Sequence, residues 1–387
     1  MDFQLSDEQK ELQHAARTFA QSELPEIAKE LEANDTPPSS ELLQRYAALG
    51  FLGINIPQDL GGLGLGNLEA LLVLEEFAKI SSAVAFPIFE SCVGPVQALV
   101  NYGQDSLKKR LVPQVCAGEK IIAASMSEPD AGSALTDLKT RAEIKDDHVL
   151  INGNKRWCSG GGHSDAYIIY SRMSDQPGAK GIGAVLVEKD SPGLSFGAPE
   201  ELMGFRGVPS ADIFLDDVSV PLENIIVEAN GGFQKLMEAF DLERCGNATM
   251  ALGQASGSLD EMLAYIQQRK QFGKAIIDFQ AVQLKVAEMK MHTEAARLLI
   301  YRAASNSQDG FPSVLDSSLA KCFANEMART VCGDALQLMG AYGYSKAYGM
   351  ERRLRDSWGW GIAGGSIDIQ KTNITAAMIG RRFNQRA

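Results

Sequence analysis

The sequence is poor in the residues that build metal centres and disulfide frameworks. Its 387 residues include only four His and six Cys, and no two cysteines form a C-x-x-C pair. Neither residue type shows a ligand-like spacing, so we predict no metal site. Scattered cysteines are typical of free thiols in a reducing compartment, which favours a cytoplasmic protein.

Excess positive charge and long apolar runs are also missing. The net charge is −12 and the pI is near 5.0, which argues against nucleic acid or an anionic membrane as partner. No stretch has 18 or more continuous apolar residues, so we expect no membrane span. Four acidic residues, Asp2, Asp7, Glu8 and Glu11, lie within the first 11 positions. A signal or transit peptide would be basic in this region.

The hydrophobic pattern divides the chain into three parts. Helical periodicity covers residues 1–122, with Ser6 and Ser39 as helix caps. Short apolar and β-branched runs bounded by turn residues fill residues 123–231. Helical periodicity returns over residues 232–387. We therefore predict an N-terminal α-helical domain, a middle antiparallel β-barrel or sandwich domain, and a C-terminal helical domain, packed tightly together.

A glycine-rich run, GGLGLG at residues 61–66, looks at first like a phosphate-binding loop. No clear strand precedes this run, and the dinucleotide-binding fingerprint requires one. We therefore predict a loop that connects two helices.

An acidic residue stands on an otherwise apolar helix face near the start of the third part. That face repeats every three to four positions through Phe233, Leu236, Met237 and Phe240. The next inward position is Glu243, and Gly246 and Gly253 follow, so we expect room for a ligand there. A carboxyl group facing an apolar cavity has a raised pKa, as a general base near neutral pH requires. The pattern alone leaves open a Glu paired with Arg and a Glu turned to solvent.

Two polar strips in the middle part are suited to hold a flat heterocycle. The first, SMSEPDAGS at residues 125–133, combines hydroxyls with a turn; the second, KRWCSGGG at residues 155–162, places an indole and a hydroxyl on one strand face. Trp157 would stack on the ring, while Ser127 and Ser159 would bind its edge atoms. Singly, each strip is more typical of ordinary turn chemistry beside a packed Trp.

The order of these strips along the chain resembles the acyl-CoA dehydrogenase family, flavoproteins that desaturate acyl-CoA thioesters between Cα and Cβ. The motifs are SEPDAGS, INGNKRWCSGGG, LDDVSVP, ERCGNATMALG, RKQFGK, LQLMGAYGY and ERRLRDSWG. The resemblance covers residues 1–387. It implies that the C-terminal domain is a four-helix bundle, that FAD lies between the β domain and this bundle, and that the protein is a homotetramer or a homodimer.

The family's cofactor contacts can be assigned position by position. Met126 and Ser127 would meet the pyrimidine edge of the flavin, and Trp157 and Ser159 would lie beside the ring, with the Ser159 hydroxyl near N5. In the family a neighbouring subunit helps to bind FAD. Further positions assigned to the cofactor are Arg269, Gln271, Phe272, Gln280, Gln337, Gly340, Ala341, Ser366 and Asp368.

One departure from the family pattern decides the predicted mechanism. Most members carry the catalytic Glu in a Y-E-G-T motif, and Gly364 occupies that position here. A minority, including isovaleryl-CoA and long-chain acyl-CoA dehydrogenases, place the base in an L-E-R or Q-E-R sequence, which Leu242-Glu243-Arg244 matches. The resemblance implies that Glu243 removes the Cα proton while the Gly364 N–H and a flavin ribityl hydroxyl stabilise the thioester oxygen.

The substrate positions are less regular than the cofactor positions. Those that match are Ser133, Phe240, Asp241, Arg244 and Trp360. The run that begins at Trp358 holds two indoles and four glycines, which would suit a ring, a branched chain or a polar acyl tail. Asp368 replaces a Gln common in the family. The sequence therefore leaves the acyl group open.

Three functions remain to be distinguished. The leading interpretation is an FAD-dependent acyl-CoA dehydrogenase that passes electrons to an electron-transfer flavoprotein. A second keeps FAD and CoA but changes the reaction to enoyl-CoA reduction, 3-sulfinopropionyl-CoA-type desulfination or oxidation by O₂. Desulfinase-type relatives lack an acidic residue at the Glu243 position, which weighs against that branch. A third is a non-catalytic paralogue that binds acyl-CoA, in which Glu243 would have no purpose.

Overall fold

The computed structural model describes residues 4–307, 310–381 and 383. The chain begins with a layer of helices whose starts follow the predicted caps. Ser6 and Gln9 form a reciprocal capping box, and the Ser39 hydroxyl accepts the Leu42 N–H. The helices are α1 (Asp7–Asn34), α2 (Ser40–Ala48), α3 (Asn67–Ala78), α4 (Ser82–Ile88), α5 (Val96–Tyr102) and α6 (Asp105–Cys116).

The segment Ser82–Tyr102 is a helical segment in the core of the N-terminal domain. It comprises α4, a π-helical turn at Phe89–Val93, and α5. Its length, and a mean hydropathy of 1.5 over its most apolar 18 residues, would suit a membrane span, but 89% of those 18 residues are buried inside the protein. Its single charged residue is Glu90. The count of continuous apolar residues missed this segment because Glu90, Ser91 and Gln97 interrupt the apolar run.

The glycine run at residues 61–66 is a loop, as predicted. It follows a 3₁₀ turn at Gln58–Leu60 and leads into α3. A Cβ atom on Gly62 would lie 2.2 Å from the Ile56 carbonyl oxygen. The glycine therefore serves close backbone packing.

The middle domain is built on one eight-stranded sheet. Its strands are β1 (Ile122–Ser125), β2 (Arg141–Ile144), β3 (His148–Ser159), β4 (Ala166–Arg172), β5 (Ile182–Glu188), β6 (Leu194–Phe196), β7 (Ser210–Pro221) and β8 (Ile225–Val227). Their order is β6-β7-β3-β2-β4-β5-β8, and β1 pairs with β4. Most pairs are antiparallel, but β1 and β2 both run parallel to β4. The predicted β domain is confirmed, and its sheet is antiparallel except where β1 and β2 pair with β4, since alternation within a strand does not encode the direction of its neighbour.

The C-terminal domain is organised around one helix of 37 residues, α7 (Gly232–Gln268). Only 13 of its residues are not fully buried, since it packs against α3 as well as the rest of the bundle. The remaining elements are β9 (Lys270–Gln271), β10 (Lys274–Ala275), α8 (Gln280–Ser305), α9 (Val314–Met339), α10 (Ala341–Tyr344), α11 (Met350–Trp360) and α12 (Ile367–Ile379).

The glycines of α7 allow neighbouring elements to approach, and the predicted ligand space beside them is absent. A Cβ on Gly246 would lie 2.5 Å from Val93 Cγ2 and 2.9 Å from the Phe89 ring. A Cβ on Gly253 would lie 2.3 Å from the Ala78 Cβ. The expectation of an open wall at these positions is wrong, because the N-terminal domain fills the gap that the missing side chains leave.

Candidate active site

Glu243 lies on α7 where the three domains meet, within electrostatic range of Lys321, Tyr170 and Glu90. Its side chain is half-buried, and no group in the described residues hydrogen-bonds or ion-pairs with its carboxyl. Burial raises the pKa of Glu243 to about 8, against the opposing influence of the charges on Lys321 and Arg244. A carboxyl held in this state can exchange a proton close to neutral pH.

Gly364 stands directly beside this face of α7. A Cβ placed on it would lie 3.5 Å from Phe240 Cζ and 3.7 Å from Asn247 Nδ2, and these two residues flank Glu243 by about one turn. Its φ of +66° is a left-handed conformation that favours glycine. Within the described residues, the Gly364 N–H has no acceptor. A free N–H next to a free carboxyl is the arrangement expected for acidifying a carbon beside a carbonyl.

Lys321 of α9 holds the loop that contains Gly364. Its ammonium donates hydrogen bonds to the carbonyl oxygens of Ala363, Gly364 (2.7 Å) and Gly365 (2.8 Å), and its side chain is fully buried. Burial and the Arg244 charge lower the pKa of Lys321 to about 7, while Glu243 opposes this shift. The sequence analysis missed Lys321, although a Lys inside the apolar stretch SLAKCFA was a usable signal.

Two asparagines complete the support of this loop. The Asn247 amide donates to the carbonyl oxygens of Trp360 (3.1 Å) and Ala363 (3.4 Å), and its oxygen accepts a hydrogen bond from Asn325 (2.9 Å). Asn247 lies one turn beyond Glu243 on α7. The sequence analysis missed both residues, although a polar residue one turn after Glu243 on an apolar helix face was a signal. They bind α7, α9 and the loop into one network.

The predicted substrate residues Asp241 and Arg244 are engaged with each other. They form a buried ion pair, and Ser317 donates a hydrogen bond of 2.6 Å to Asp241. Burial raises the pKa of Asp241, which the Arg244 charge opposes. The Arg244 guanidinium also lies 5.2 Å from the centroid of the Phe240 ring. The sequence left open that Glu243 pairs with an Arg. In the structure Asp241 forms such a pair with Arg244, and Glu243 itself stays unpaired.

The strip around Trp157 is exposed at a bulge of β3. Trp157 has a φ of +61° and is 53% exposed, and the Ser159 side chain is exposed as well, while Cys158 between them is buried. This is the alternation that the strand pattern predicts. The Arg156 guanidinium covers one face of the indole at 4.2 Å from its centroid, which leaves the other face open.

A buried ion pair fixes the Met126–Ser127 segment next to this strip. The Lys155 ammonium donates to the Met126 carbonyl oxygen (3.1 Å) and to the Glu128 carboxylate (2.8 Å), and the Arg156 N–H donates to the Ser127 carbonyl oxygen (3.0 Å). Burial lowers the pKa of Lys155 to about 8. Burial alone would raise the pKa of Glu128, but the charge and hydrogen bond of Lys155 lower it below its ordinary value. The sequence analysis assigned no role to this pair.

The residues assigned to the cofactor in the RKQFGK and LQLMGAYGY motifs meet at the far end of the bundle. The resemblance assigns the first motif to the FAD pyrophosphate and the second to its adenine side. The Arg269 guanidinium lies 5.8 Å from the ring centroid of Tyr342, next to Gly340 and Ala341. In the hairpin of β9 and β10, Gln271 is exposed and Phe272 is 95% exposed; Gln280 and Gln337 are exposed too. Glu243 and Arg269 are about 39 Å apart along α7, at about 1.5 Å per residue.

Three remaining predicted positions have a structural environment of their own. Ser133 lies exposed in the loop before β2. The Ser366 hydroxyl caps α12 by accepting the Ile369 N–H, and Asp368 is exposed in the first turn of that helix, where a negative charge is favourable.

The two tryptophans of the run that begins at Trp358 have different environments. The Trp360 indole is 3% exposed, packs at 4.6 Å from Phe205 and donates a hydrogen bond to the Ser82 hydroxyl. Trp358 points away and stacks with Arg329 at 4.3 Å. The Trp360 indole is therefore closed off by the N-terminal domain, whereas Trp358 is 47% exposed and has one face covered by Arg329 of α9.

Comparison with known proteins agrees with this architecture. The three-part fold and the unpaired carboxyl of Glu243 at its centre are those of a flavin-dependent oxidoreductase. The chain belongs to the acyl-CoA dehydrogenase family: the family's N-terminal domain matches residues 6–119, its middle domain residues 123–218, and its C-terminal domain residues 230–379. The family predicted from the motifs is confirmed.

Similar curated proteins catalyse different reactions. The chain is 36% identical to the caffeyl-CoA reductase-Etf complex subunit CarC of Acetobacterium woodii, covering 97% of this chain and 99% of CarC. It is 36% identical to 3-sulfinopropanoyl-CoA desulfinase of Advenella mimigardefordensis, over 99% and 96% of the two chains. It is also 36% identical to acryloyl-CoA reductase (NADH) of Anaerotignum propionicum, over 98% and 97%.

Similar solved structures share the whole fold. Butyryl-CoA dehydrogenase from Megasphaera elsdenii has a TM-score of 0.93 and 32% identity, covering 98% of this chain and 100% of that one. The glutaryl-coenzyme A dehydrogenase complex with glutaryl-CoA has a TM-score of 0.95 and 34% identity, covering 100% and 98%. An FAD complex of PigA has a TM-score of 0.92 and 29% identity, covering 98% and 99%.

Proposed function

We propose that this protein is an FAD-dependent acyl-CoA dehydrogenase in which Glu243 is the catalytic base. The observation that carries the proposal is the pair formed by the unpaired Glu243 carboxyl and the free N–H of Gly364 on adjacent elements. A base and a hydrogen-bond donor on adjacent elements match the two needs of α-proton removal from a thioester. The family supports the acyl-CoA substrate.

The residues of this chain would act as follows. The ionised Glu243 carboxylate takes the Cα proton, and the Gly364 N–H donates a hydrogen bond to the thioester oxygen as negative charge develops there. Lys321 and Asn247 keep the Gly364 loop in place through its carbonyl oxygens. FAD, when bound, accepts the hydride that leaves Cβ.

The residues assigned to FAD fit that cofactor. Ser127 and Ser159 have hydroxyls without a hydrogen-bond partner in the described part of the chain, and the open face of Trp157 lies near them. Arg269 and Phe272 are exposed, and α7 holds them too far from Glu243 to serve the same flavin. We infer that they contact the cofactor of a second subunit, so the protein is a homo-oligomer.

An electron-transfer flavoprotein is the proposed electron acceptor. Support comes from CarC, which is a subunit of an Etf complex. A structure reported for an electron transferring flavoprotein of Acidaminococcus fermentans also contains a chain similar to this one, with a TM-score of 0.94 and 31% identity. We further propose that the protein is cytoplasmic, since its six cysteines are free thiols rather than disulfides.

Enoyl-CoA reduction is the second candidate, and the pKa of Glu243 favours it in part. With a pKa of about 8, Glu243 is largely protonated at neutral pH and could return a proton to Cα in the reverse direction. Two of the similar proteins carry reductase names. The same residues serve both directions, so the substrate and the electron partner decide the physiological one.

The deciding experiment is an anaerobic visible spectrum of the purified flavoprotein during titration with single acyl-CoAs. The panel runs from short and branched to aromatic and hydroxylated thioesters. We expect one saturated class to bleach the oxidised-flavin band, and Glu243→Gln to abolish the bleaching. Glu238→Gln is the matched control, since Glu238 lies on the same helix and accepts a hydrogen bond from Tyr102 (3.1 Å).

Three results would change the proposal. Full bleaching by the Glu243→Gln variant would remove Glu243 as the base. Failure of all saturated thioesters, with reoxidation of the reduced protein by an enoyl-CoA, would establish the reductase. Failure of the protein to bind FAD at all would leave only a non-catalytic role.

A further inference from the structure

Arg156 and Trp157 lie side by side at a bulge of β3. The register of β3 against β7 shifts by one residue here, so both residues stand opposite a single residue, Asp212. Lys155 before the bulge and Cys158 after it are both buried, whereas the two residues between them reach solvent. Neighbours in a regular strand point to opposite faces of the sheet. The bulge therefore brings the two side chains onto one face.

Two carboxylates fix the Arg156 guanidinium over the indole. It donates hydrogen bonds to Asp212 on β7 (2.7 Å) and to Glu200 in the segment between β6 and β7 (2.9 Å). Its centre lies 4.2 Å from the centroid of the Trp157 ring. A guanidinium is planar, so its edge can bind carboxylates while its face stacks on an aromatic ring. Arg156 therefore restricts the rotation of the indole from one face and leaves the other face to the flavin.

The backbone of Arg156 holds the second cofactor strip. Its N–H donates a hydrogen bond of 3.0 Å to the Ser127 carbonyl oxygen. Ser127 and Trp157 are both assigned to the flavin. One residue thus sets the relative position of two groups that the cofactor has to meet.

Trp157 needs this support because its conformation is unfavourable on its own. Its φ of +61° lies in the left-handed region, which bulky side chains rarely adopt, and the residue is 53% exposed. A strained backbone of this kind persists only where the surrounding structure fixes it. Without the guanidinium, FAD would have to order the indole as it binds, and ordering a side chain on binding lowers affinity.

We propose that Arg156 is a positioning residue for FAD, which acts by holding the Trp157 indole in its cofactor-binding orientation before FAD binds. Glu200 and Asp212 contribute indirectly, because they hold the guanidinium. The inference rests on the FAD site of the proposed function. It does not depend on the acyl group or on the direction of the reaction.

The test compares purified holoenzyme variants by two measurements on the flavin. One is the Kd of FAD, from the free FAD released on dilution, and the other is the visible circular dichroism of the bound flavin. Arg156→Lys keeps the charge and loses the planar fork. We expect it to raise the Kd about three- to tenfold, as disorder of one large side chain would give, and to change the flavin dichroism. Arg156→Gln should be at least as severe.

The matched control is Arg329→Gln. The Arg329 guanidinium lies 4.3 Å from the ring centroid of Trp358, so it makes the same kind of contact in the C-terminal domain. This variant should leave both flavin measurements unchanged. A change as large as that of Arg156→Gln would show that the effect is not specific to Trp157.

A double-mutant cycle with Trp157→Ala separates positioning through the indole from a general structural role. If Arg156 acts through Trp157, Arg156→Gln should add little to the Kd of the Trp157→Ala variant. Additive effects would overturn the proposal, and so would an unchanged Kd and dichroism in Arg156→Lys. If the glutamine variant does not fold, Arg156→Lys replaces it in the cycle.

Thermal unfolding identifies a role in stability alone. One carboxylate oxygen of Asp212 is already buried without a partner in the described part of the chain, so Arg156→Gln leaves this carboxylate unpaired and should lower the Tm. A lower Tm with both flavin measurements unchanged would refute the positioning role.

Flavin bleaching by saturated thioesters is followed separately in the wild type. Absence of bleaching together with a raised Kd in the Arg156 variants would refute the dehydrogenase reaction and retain the positioning role. Bleaching together with an unchanged Kd would do the reverse.

Discussion

Three ionisable side chains lie around the first third of α7: the buried Glu90 and Lys321 and the half-buried Glu243. Burial raises the pKa values of the two carboxyls and lowers that of the amine, because each charged form loses hydration. Their charges are therefore coupled. The protonation state of the site depends on all three groups, and a substitution at one should be visible in the titration of another.

Replacing Glu243 should stabilise the protein at high pH. The pKa of Glu243 is higher in the folded protein, at about 8, than its ordinary value of 4.5. Its contribution to stability is therefore complete below about pH 4.5 and is lost as the pH rises through 8. We expect Glu243→Gln to raise the Tm by a few degrees at pH 8.5 and to have little effect at pH 5. Equal shifts at both pH values, or a similar pattern in Glu238→Gln, would contradict this.

Lys321→Met should impair the reaction and move its pH profile. The variant leaves three carbonyl oxygens of the Gly364 loop without their donor, so we expect roughly a tenfold or greater loss in the rate of flavin reduction. It also removes the positive charge that lowers the pKa of Glu243, so the profile should shift to higher pH. A slower rate with an unshifted profile would show a purely structural role. The exposed Lys290→Met is the control.

At the scale of elements, the glycines of α7 determine how closely neighbouring elements pack against this helix. Gly246, Gly253 and Gly257 face the π-helical turn, α3 and the Lys79 backbone, respectively, and each would bring a Cβ within 2.5 Å of a neighbouring atom. The N-terminal domain approaches α7 closely on one side and the rest of the bundle packs on the other, so α7 is buried from both sides. That approach also places Glu90 next to the helix that carries Glu243.

Gly253→Ala should destabilise the protein although alanine is the better helix former. The new Cβ would lie 2.3 Å from the Ala78 Cβ, and overpacking of this kind costs about 1–3 kcal/mol. Gly333→Ala on α9 is a matched control, because nothing lies within 4 Å of its added Cβ; it should stabilise by about 0.5–1 kcal/mol. Thermal or urea unfolding measures both. Stabilisation by Gly253→Ala would show that the two helices separate easily.

At the scale of the whole molecule, the predicted cofactor residues form two groups. Trp157 and Ser159 belong to the β domain, whereas Arg269 and Phe272 project from the far end of α7. A phenyl ring that is 95% exposed is unfavourable in an isolated chain and expected at an interface. The length of α7 thus explains why a homo-oligomer would complete each cofactor site.

Arg269→Ala should weaken FAD binding without disturbing the site around Glu243. Loss of a charge-assisted hydrogen bond to a pyrophosphate removes about 1.5–3 kcal/mol, which corresponds to roughly 10–150-fold in the Kd for FAD. Fluorescence titration of the apoprotein measures this, and Arg302→Ala, an exposed arginine of α8, is the control. An unchanged Kd would exclude Arg269 from the cofactor site.

The sequence by itself determined the order of domains, the helix caps and the family. It also singled out Glu243, since a carboxyl on an apolar face and a glycine at the usual base position are properties of the chain. Local signals suffice for these features because caps, periodicity and motifs are encoded within a few residues of each other.

Only the tertiary structure decided which groups meet. Lys321 and Asn325 come from α9, and Glu90 comes from the N-terminal domain, so no local pattern relates them to Glu243. The burial of Trp360 and the filling of the space beside Gly246 likewise depend on which surface packs against them. Burial sets the pKa values and deprives polar groups of water as a hydrogen-bond partner. It arises only when distant segments of the chain are packed together.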